Sequence, residues 1–285
     1  MRSASWIHAS NLRPDGTPMS PLIPHTEPLH ECRLVARYDR FVADVEFEDG
    51  RIEKSHCVNP GRMEGLVRPG ARAWVSAAPE GSTRKLRWTL ELLELDGRYV
   101  GANTQAPNRI AEALIRARLV PGLKRWRSLE REVRYGENSR IDLLLRGATD
   151  HLVEVKNCHL VYPDRRAYFP DSVSARATKH LHELVQEVDA GRRATVLFVL
   201  QRTDGLALRP SRVHDPDFAD AARAAADAGV RFRAVRIDPG PEGFRFAGTL
   251  PVDLSDYDPA GPATFRSELD AWSGWKRRGP VRRAV

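Results

Sequence analysis

Asp142, Glu154 and Lys156 are the residues of this 285-residue chain whose types and spacing suit chemistry. Asp142 follows Arg140 and Ile141 in one short apolar run, and Glu154-Val155-Lys156 lies in the next. Two carboxylates brought together can hold Mg²⁺ or Mn²⁺ through oxygen ligands. Such an ion binds a phosphate oxygen and activates water. A lysine beside it stabilises the added negative charge or positions the attacking water. Asp142 and Glu154 are therefore the candidate metal ligands, and Lys156 the candidate catalytic cation. Glu112, on a helix upstream, is the candidate third acid. A surface hairpin with an ordinary ion pair would carry the same residues, so spacing alone leaves both readings open.

Side chains on a strand alternate faces, so Glu154 and Lys156 project together and Val155 opposes them. If the two runs pair as strands, Asp142 approaches the same point. Glu130 and Glu132 share one face of the strand before them, so either is placed to enter the site. Gly136, Asn138 and Ser139 read as the turn before Arg140. Upstream, Ile110, Ala113, Leu114 and Ala117 give a 3.6-residue apolar period, which predicts a helix over Pro107 to Leu119. Downstream, Leu181, Leu184, Val185 and Val188 mark the buried face of a second helix, capped by Asp171 or Ser172. The run RRATVLFVLQR suits a buried, parallel strand. Asp215 is placed to cap a third helix, and VRFRAVRI reads as a strand after it. Strands alternating with helices over 105–253 imply an α/β domain.

Residues 29–104 read differently. About five short strands separated by turns such as Asp49-Gly50, Pro69-Gly70 and Asp96-Gly97 predict a small β-barrel, of which an OB-like barrel is one form. Tyr38, Phe41, Trp74 and Trp88 among the basic residues are candidate base-stacking platforms, or ordinary core aromatics. Residues 1–28 read as a flexible extension, and 254–285 as a basic Pro- and Gly-rich tail that contains Trp272, Trp275 and Lys276-Arg277-Arg278.

The formal charge is +7 and the sequence pI about 9.6. Such a balance suits a polyanionic partner. Candidate nucleic-acid contacts are Arg37, Arg40, Arg62, Arg84, Lys85 and Arg87 in the first domain, and Arg140, Arg176 and Lys179 in the second. No apolar run approaches the ~18 residues of a membrane span. Cys32, Cys57 and Cys158 form no metal-ligand cluster or disulfide framework, and suit a reducing, cytoplasmic setting. Neither a phosphate-binding loop nor a complete dinucleotide fingerprint is present.

The stretches RYDRFVADVEFEDG, HCVNPGRMEGLVRPG, NRIAEALI, LEREVRYGENSRIDLLL, VEVKN, AYFPDSVSARATKHLHEL and EGFRFAGTLPV closely resemble the SfsA family, named for sugar fermentation stimulation. The resemblance spans residues 29–253. It implies an N-terminal OB-like domain, a restriction-endonuclease-like α/β core, DNA binding, and a link to the regulation of sugar metabolism. It places Asp142, Glu154 and Lys156 on the acids and lysine of the nuclease-like pattern, with Glu112 as the helix acid. Pro60 and Ala177 depart from residues more frequent in the family. The reading expected is a DNA-binding protein, on single or double strands, with a Mg²⁺- or Mn²⁺-dependent phosphodiesterase site. Its alternatives are a non-catalytic regulatory DNA-binding protein and an RNA-binding protein or ribonuclease.

Overall fold

The computed structural model of the protein describes residues 21–136 and 139–272. Most of the expected N-terminal extension, Asn138 and the basic run after Trp275 lie outside the described residues.

The chain starts with a two-residue strand, β1 (Ile23–Pro24), and then builds one curled sheet. Its strands are β2 (Leu29–Tyr38), β3 (Val42–Glu46), β4 (Ile52–His56), β5 (Arg72–Ala77), β6 (Trp88–Leu95) and β7 (Arg98–Gly101), in the order β4-β3-β2-β5-β6-β7. Strand alternation turns Leu34, Ala43, Val45, Val75, Leu90 and Leu93 inward, each at most 1% exposed. β4 meets β6 only at Ser55–Trp88 and His56–Thr89. Two residue pairs do not seal the sheet along its length, so the expected barrel is an open half-barrel. Asp96 and Gly97, at φ 52° and 72°, make the tight turn from β6 to β7.

The second unit has one seven-stranded sheet, in the order β1-β15-β14-β12-β10-β9-β8. Its elements begin with α1 (Ala106–Arg116), β8 (Ser128–Tyr135), β9 (Ser139–Arg146), β10 (His151–Cys158), β11 (Arg166–Phe169) and α2 (Ala175–Asp189). They continue with β12 (Arg193–Leu200), β13 (Ala207–Pro210), α3 (Pro216–Asp227), β14 (Arg231–Gly240), β15 (Gly243–Leu250) and α4 (Ala260–Leu269). β10, β12 and β14 run parallel, and antiparallel strands flank them. Ile110 and Leu114 of α1 pack on Leu143, Val153 and Val199 from one face. Leu181 and Leu184 of α2, with Phe218 of α3, pack on Leu152, Val196 and Phe198 from the other. β12 is thus covered on both sides, which explains its unbroken apolar run.

Two local expectations change. Ser174, rather than Asp171 or Ser172, caps α2, its Oγ accepting from Ala177 N at 3.3 Å. Within the tail expected after residue 254, Ala260–Leu269 form α4, because Phe265 and Leu269 find a surface on Tyr162 and Tyr168. Asp215 caps α3 as its sequence position suggests, accepting from Phe218 N at 3.0 Å.

The two units meet around Glu64, whose side chain is fully buried. Tyr162 Oη donates to its Oε2 at 3.0 Å, while Arg62 Nε at 2.6 Å and His214 Nε2 at 3.1 Å reach its Oε1. A buried carboxylate needs such partners, since unpaired burial of charge is strongly unfavourable. No described helix is long and apolar enough to cross a membrane.

Candidate metal and phosphodiester site

β9 and β10 pair antiparallel through Leu143 and Val153, and just beyond that last pair lie Asp142 and Glu154. Their side chains converge as the strand spacing suggests. Asp142 Oδ2 accepts from Val155 N at 2.7 Å, so the acid is anchored to the backbone between Glu154 and Lys156. Its Oδ1 accepts from Asn108 Nδ2 of α1 at 2.8 Å. Lys156 Nζ donates to Glu154 Oε1 at 2.7 Å, and His180 Nδ1 of α2 reaches the same oxygen at 2.5 Å. Glu154 is 3% exposed, and its Oε2 has no hydrogen-bond partner.

The electrostatics follow from this crowding. Burial, then the neighbouring Glu154 charge, pushes the Asp142 carboxyl up to about 6 against the opposing pull of Val155 N–H, Asn108 and Lys156. Burial works the same way on Glu154, but the Lys156 charge and the His180 contact outweigh it and hold that carboxyl below its usual range. Arg176 Nε donates to His180 Nε2 at 3.4 Å. An arginine N–H can only donate, so Nε2 accepts and the ring proton sits on Nδ1, facing Glu154.

Asn108 and His180 are the residues that spacing alone did not bring to the acids. His180 precedes Leu181 on the buried face of α2, which is the signal that it faces the sheet and not the solvent. Asn108 stands one helical turn before Glu112. Glu112 itself is not brought to the acids: its carboxylate pairs with Arg116 at 2.8 Å and Arg131 at 3.6 Å. Glu130 is likewise held by Arg146, at 2.9 Å. Glu132 bends β8 at φ 51°, across the sheet from Asp142, and its side chain is exposed.

The candidate nucleic-acid contacts divide into two groups. Arg84, Lys85, Arg87, Arg140, Arg176 and Lys179 are exposed, as is Arg40, which also donates to Pro60 O at 3.2 Å. Arg37 is 4% exposed, and its guanidinium donates to the carbonyls of Arg40, Asn59, Gly61 and Arg62. It fixes the 59–62 loop rather than facing a ligand. Arg62 is tied to Glu64 and Asp270. Tyr38, Trp74 and Trp88 are buried, because their strands turn them into the fold or onto the second domain, and Phe41 remains exposed at 43%. Gln201 is also buried, donating to Asn157 Oδ1 at 2.7 Å and Asn103 O at 3.1 Å.

An OB-like half-barrel joined to a mixed sheet with helices on both faces, with paired acids and a lysine on its central strands, is a restriction-endonuclease-like two-domain architecture. The comparisons with known proteins agree with both halves. Residues 35–102 match the SfsA N-terminal OB domain, and residues 105–243 match the sugar fermentation stimulation protein RE domain. A sugar fermentation stimulation protein homolog of Maricaulis maris is 44% identical over 229 residues, covering 80% of this chain and 97% of that protein. The homolog of Allorhizobium ampelinum is 45% identical over 230 residues, covering 80% and 97%. The chain belongs to the SfsA family. Among solved structures, Pyrococcus furiosus SfsA in complex with Ca²⁺ aligns with a TM-score of 0.74 at 29% identity, covering 83% of this chain and all of that one.

Proposed function

We propose that this protein binds DNA and hydrolyses a phosphodiester at Asp142, Glu154 and Lys156, with Mg²⁺ or Mn²⁺ held between the two acids. The observation that carries this reading is Glu154 Oε2, a buried carboxylate oxygen with no hydrogen-bond partner, set beside Asp142. Two acids in one buried place, one of them with its carboxyl pushed up by burial and then by the other's charge, are an arrangement that a divalent cation relieves. The donor set is all oxygen, which fits a hard cation. When bound, the ion supplies Lewis acidity at the phosphate and activates water. The residues do the rest. Lys156 lies within 2.7 Å of Glu154 and can shift its ammonium toward the developing phosphorane charge. Asn108 and the Val155 amide fix the Asp142 carboxylate. The exposed Arg140, Arg176 and Lys179 lie on the elements of the site and suit the flanking phosphates. The Ca²⁺ held by the Pyrococcus furiosus relative supports a divalent-cation site in this fold.

A second reading has its own support. Lys156 is only 13% exposed and already paired with Glu154, which equally suits a non-catalytic DNA-binding protein whose acid-lysine set is structural. The deciding experiment is a cleavage time course on single-stranded DNA, duplex DNA and RNA with Mg²⁺ or Mn²⁺, run beside Glu154→Gln and Lys156→Ala proteins. Metal-dependent cleavage lost in both variants supports hydrolysis at this site. DNA binding without cleavage in the parent protein favours the second reading.

A further inference from the structure

A cavity of about 190 Å³ lies where the 59–61 loop of the OB-like unit faces the end of β10 and the segment leading into α2. It lies at the end of β10, the strand that carries Glu154 and Lys156, and Ser174 of its lining caps the helix that carries His180. Its place, at the carboxyl ends of parallel strands and between two domains, is where ligands of α/β folds bind. The volume is below the ~300–1,000 Å³ of sites for drug-sized ligands, so it suits one ring.

The polar groups around it have fixed roles. Gln201 Nε2 donates to Asn157 Oδ1, which turns Asn157 Nδ2 toward His159 Nδ1 at 3.1 Å. Nδ1 therefore accepts, and Nε2 carries the ring proton, 3.4 Å from Asp171 Oδ2. The same Oδ2 accepts from Met63 N at 3.2 Å. Gly61 makes this approach possible, since a Cβ there would stand 2.1 Å from Asp171 Oδ2. Asp171 Oδ1 has no hydrogen bond among the described residues, and no lysine or arginine pairs with this carboxylate there. Asp171 Oδ1 is thus an acceptor with spare capacity and negative charge, which repels phosphate and takes an N–H donor, while His159 Nε2–H is buried without a hydrogen-bond partner beside it. Leu160 and Phe169 add apolar wall.

We propose that this cavity receives a single unpaired cytosine, whose exocyclic amino group donates to Asp171 Oδ1. A carboxylate accepting from cytosine N4 is an established base-reading pair. A base enters a pocket only out of its stack, so the ligand is single-stranded or extruded. The proposal rests on the nucleic-acid reading above and adds a base preference to it.

The test is fluorescence anisotropy of the full chain with 12-residue oligo(dC) and oligo(dT) at one salt concentration, pH 7.5, with EDTA to prevent cleavage. Oligo(dC) is expected to bind about tenfold more tightly. Asp171→Asn is expected to bring the two within about twofold, through loss of oligo(dC) affinity. Equal, measurable affinities in the parent protein overturn the pocket and leave DNA binding standing. Binding of neither oligomer overturns the pocket, and the same measurement on duplex DNA then decides whether the DNA-binding reading stands. A cytosine preference that persists in folded Asp171→Asn protein also overturns the assignment. Should that variant not fold, saturation-transfer NMR of the parent protein with cytidine and uridine decides: signal from cytidine alone supports the pocket, and equal signals overturn it.

Discussion

His180 Nδ1 lies 2.5 Å from Glu154 Oε1, joining α2 to the central strand at the acid whose other oxygen has no partner. The imidazole fixes one carboxylate oxygen and so directs the other. His180→Ala is expected to lower divalent-metal affinity by about 10–100-fold, the usual cost of losing a group that orients a metal ligand. Isothermal titration with Mn²⁺ reads this, with circular dichroism to establish that the variant is folded. Unchanged affinity would remove His180 from the site.

The basic residues separate by burial, and so should their variants. Arg87→Ala alters an exposed side chain, so it should leave stability within ~0.5 kcal/mol. If Arg87 meets one phosphate, the same change should reduce the salt slope of DNA binding by ~0.9. Arg37→Ala instead strips donors from the Arg40 carbonyl and three carbonyls of the 59–62 loop, and should cost ~3 kcal/mol or more in urea unfolding. Similar stability losses for the two would contradict this division.

Gly61→Ala places a methyl carbon against the Asp171 carboxylate, at 2.1 Å from Oδ2 before any adjustment. Either the loop or the acid must move, and the Met63 N–H bond goes with it. A loss of about 1–3 kcal/mol is expected, the range for overpacking a closed contact. Thermal unfolding checks this, and a wild-type midpoint would mean that the interface accommodates the methyl freely.

His151 gives a pH signature remote from the acids. Burial, with Arg231 and Arg193 nearby, lowers its pKa from 6.5 to about 4. The folded state therefore favours the neutral ring, whose Nε2 lies 2.7 Å from Thr195 Oγ1. A histidine with a depressed folded pKa contributes stability that is complete above 6.5 and is lost as pH falls toward 4. Relative to His151→Gln, the parent protein should lose about 3 kcal/mol across that window. Denaturant unfolding at pH 7.5, 5.5 and 4.2 measures the difference, and parallel curves for the two proteins would refute it.

Elements were legible where one physical pattern dominated. The unbroken apolar run of β12 identifies a covered strand, and Asp215 before Pro216 marks a capped helix start. Asp142 and Glu154 meet because pairing of β9 with β10 follows from two adjacent apolar runs. The partners of Glu112 are not legible from its helix position, which does not say which charges wait nearby: Arg131, on the neighbouring strand, joins Arg116 at its carboxylate. The role of Arg37 depends on carbonyls from a loop more than 20 residues away, which no local pattern reveals. α4 was hidden for a similar reason, since its apolar residues are few and acquire meaning only against Tyr162 and Tyr168.

β1 pairs with β15 before the chain turns away to build the OB-like sheet, and α1 marks its return. The first module is therefore looped out of the second, with two covalent strands of chain at its base. His25 Nε2, 2.8 Å from Gly240 O, and Arg109, bonded to Pro24 O, pin the outgoing strand. A single cut between the modules would leave Ile23 and Pro24 woven into the other module's sheet, so dissection at one linker cannot yield two independent pieces.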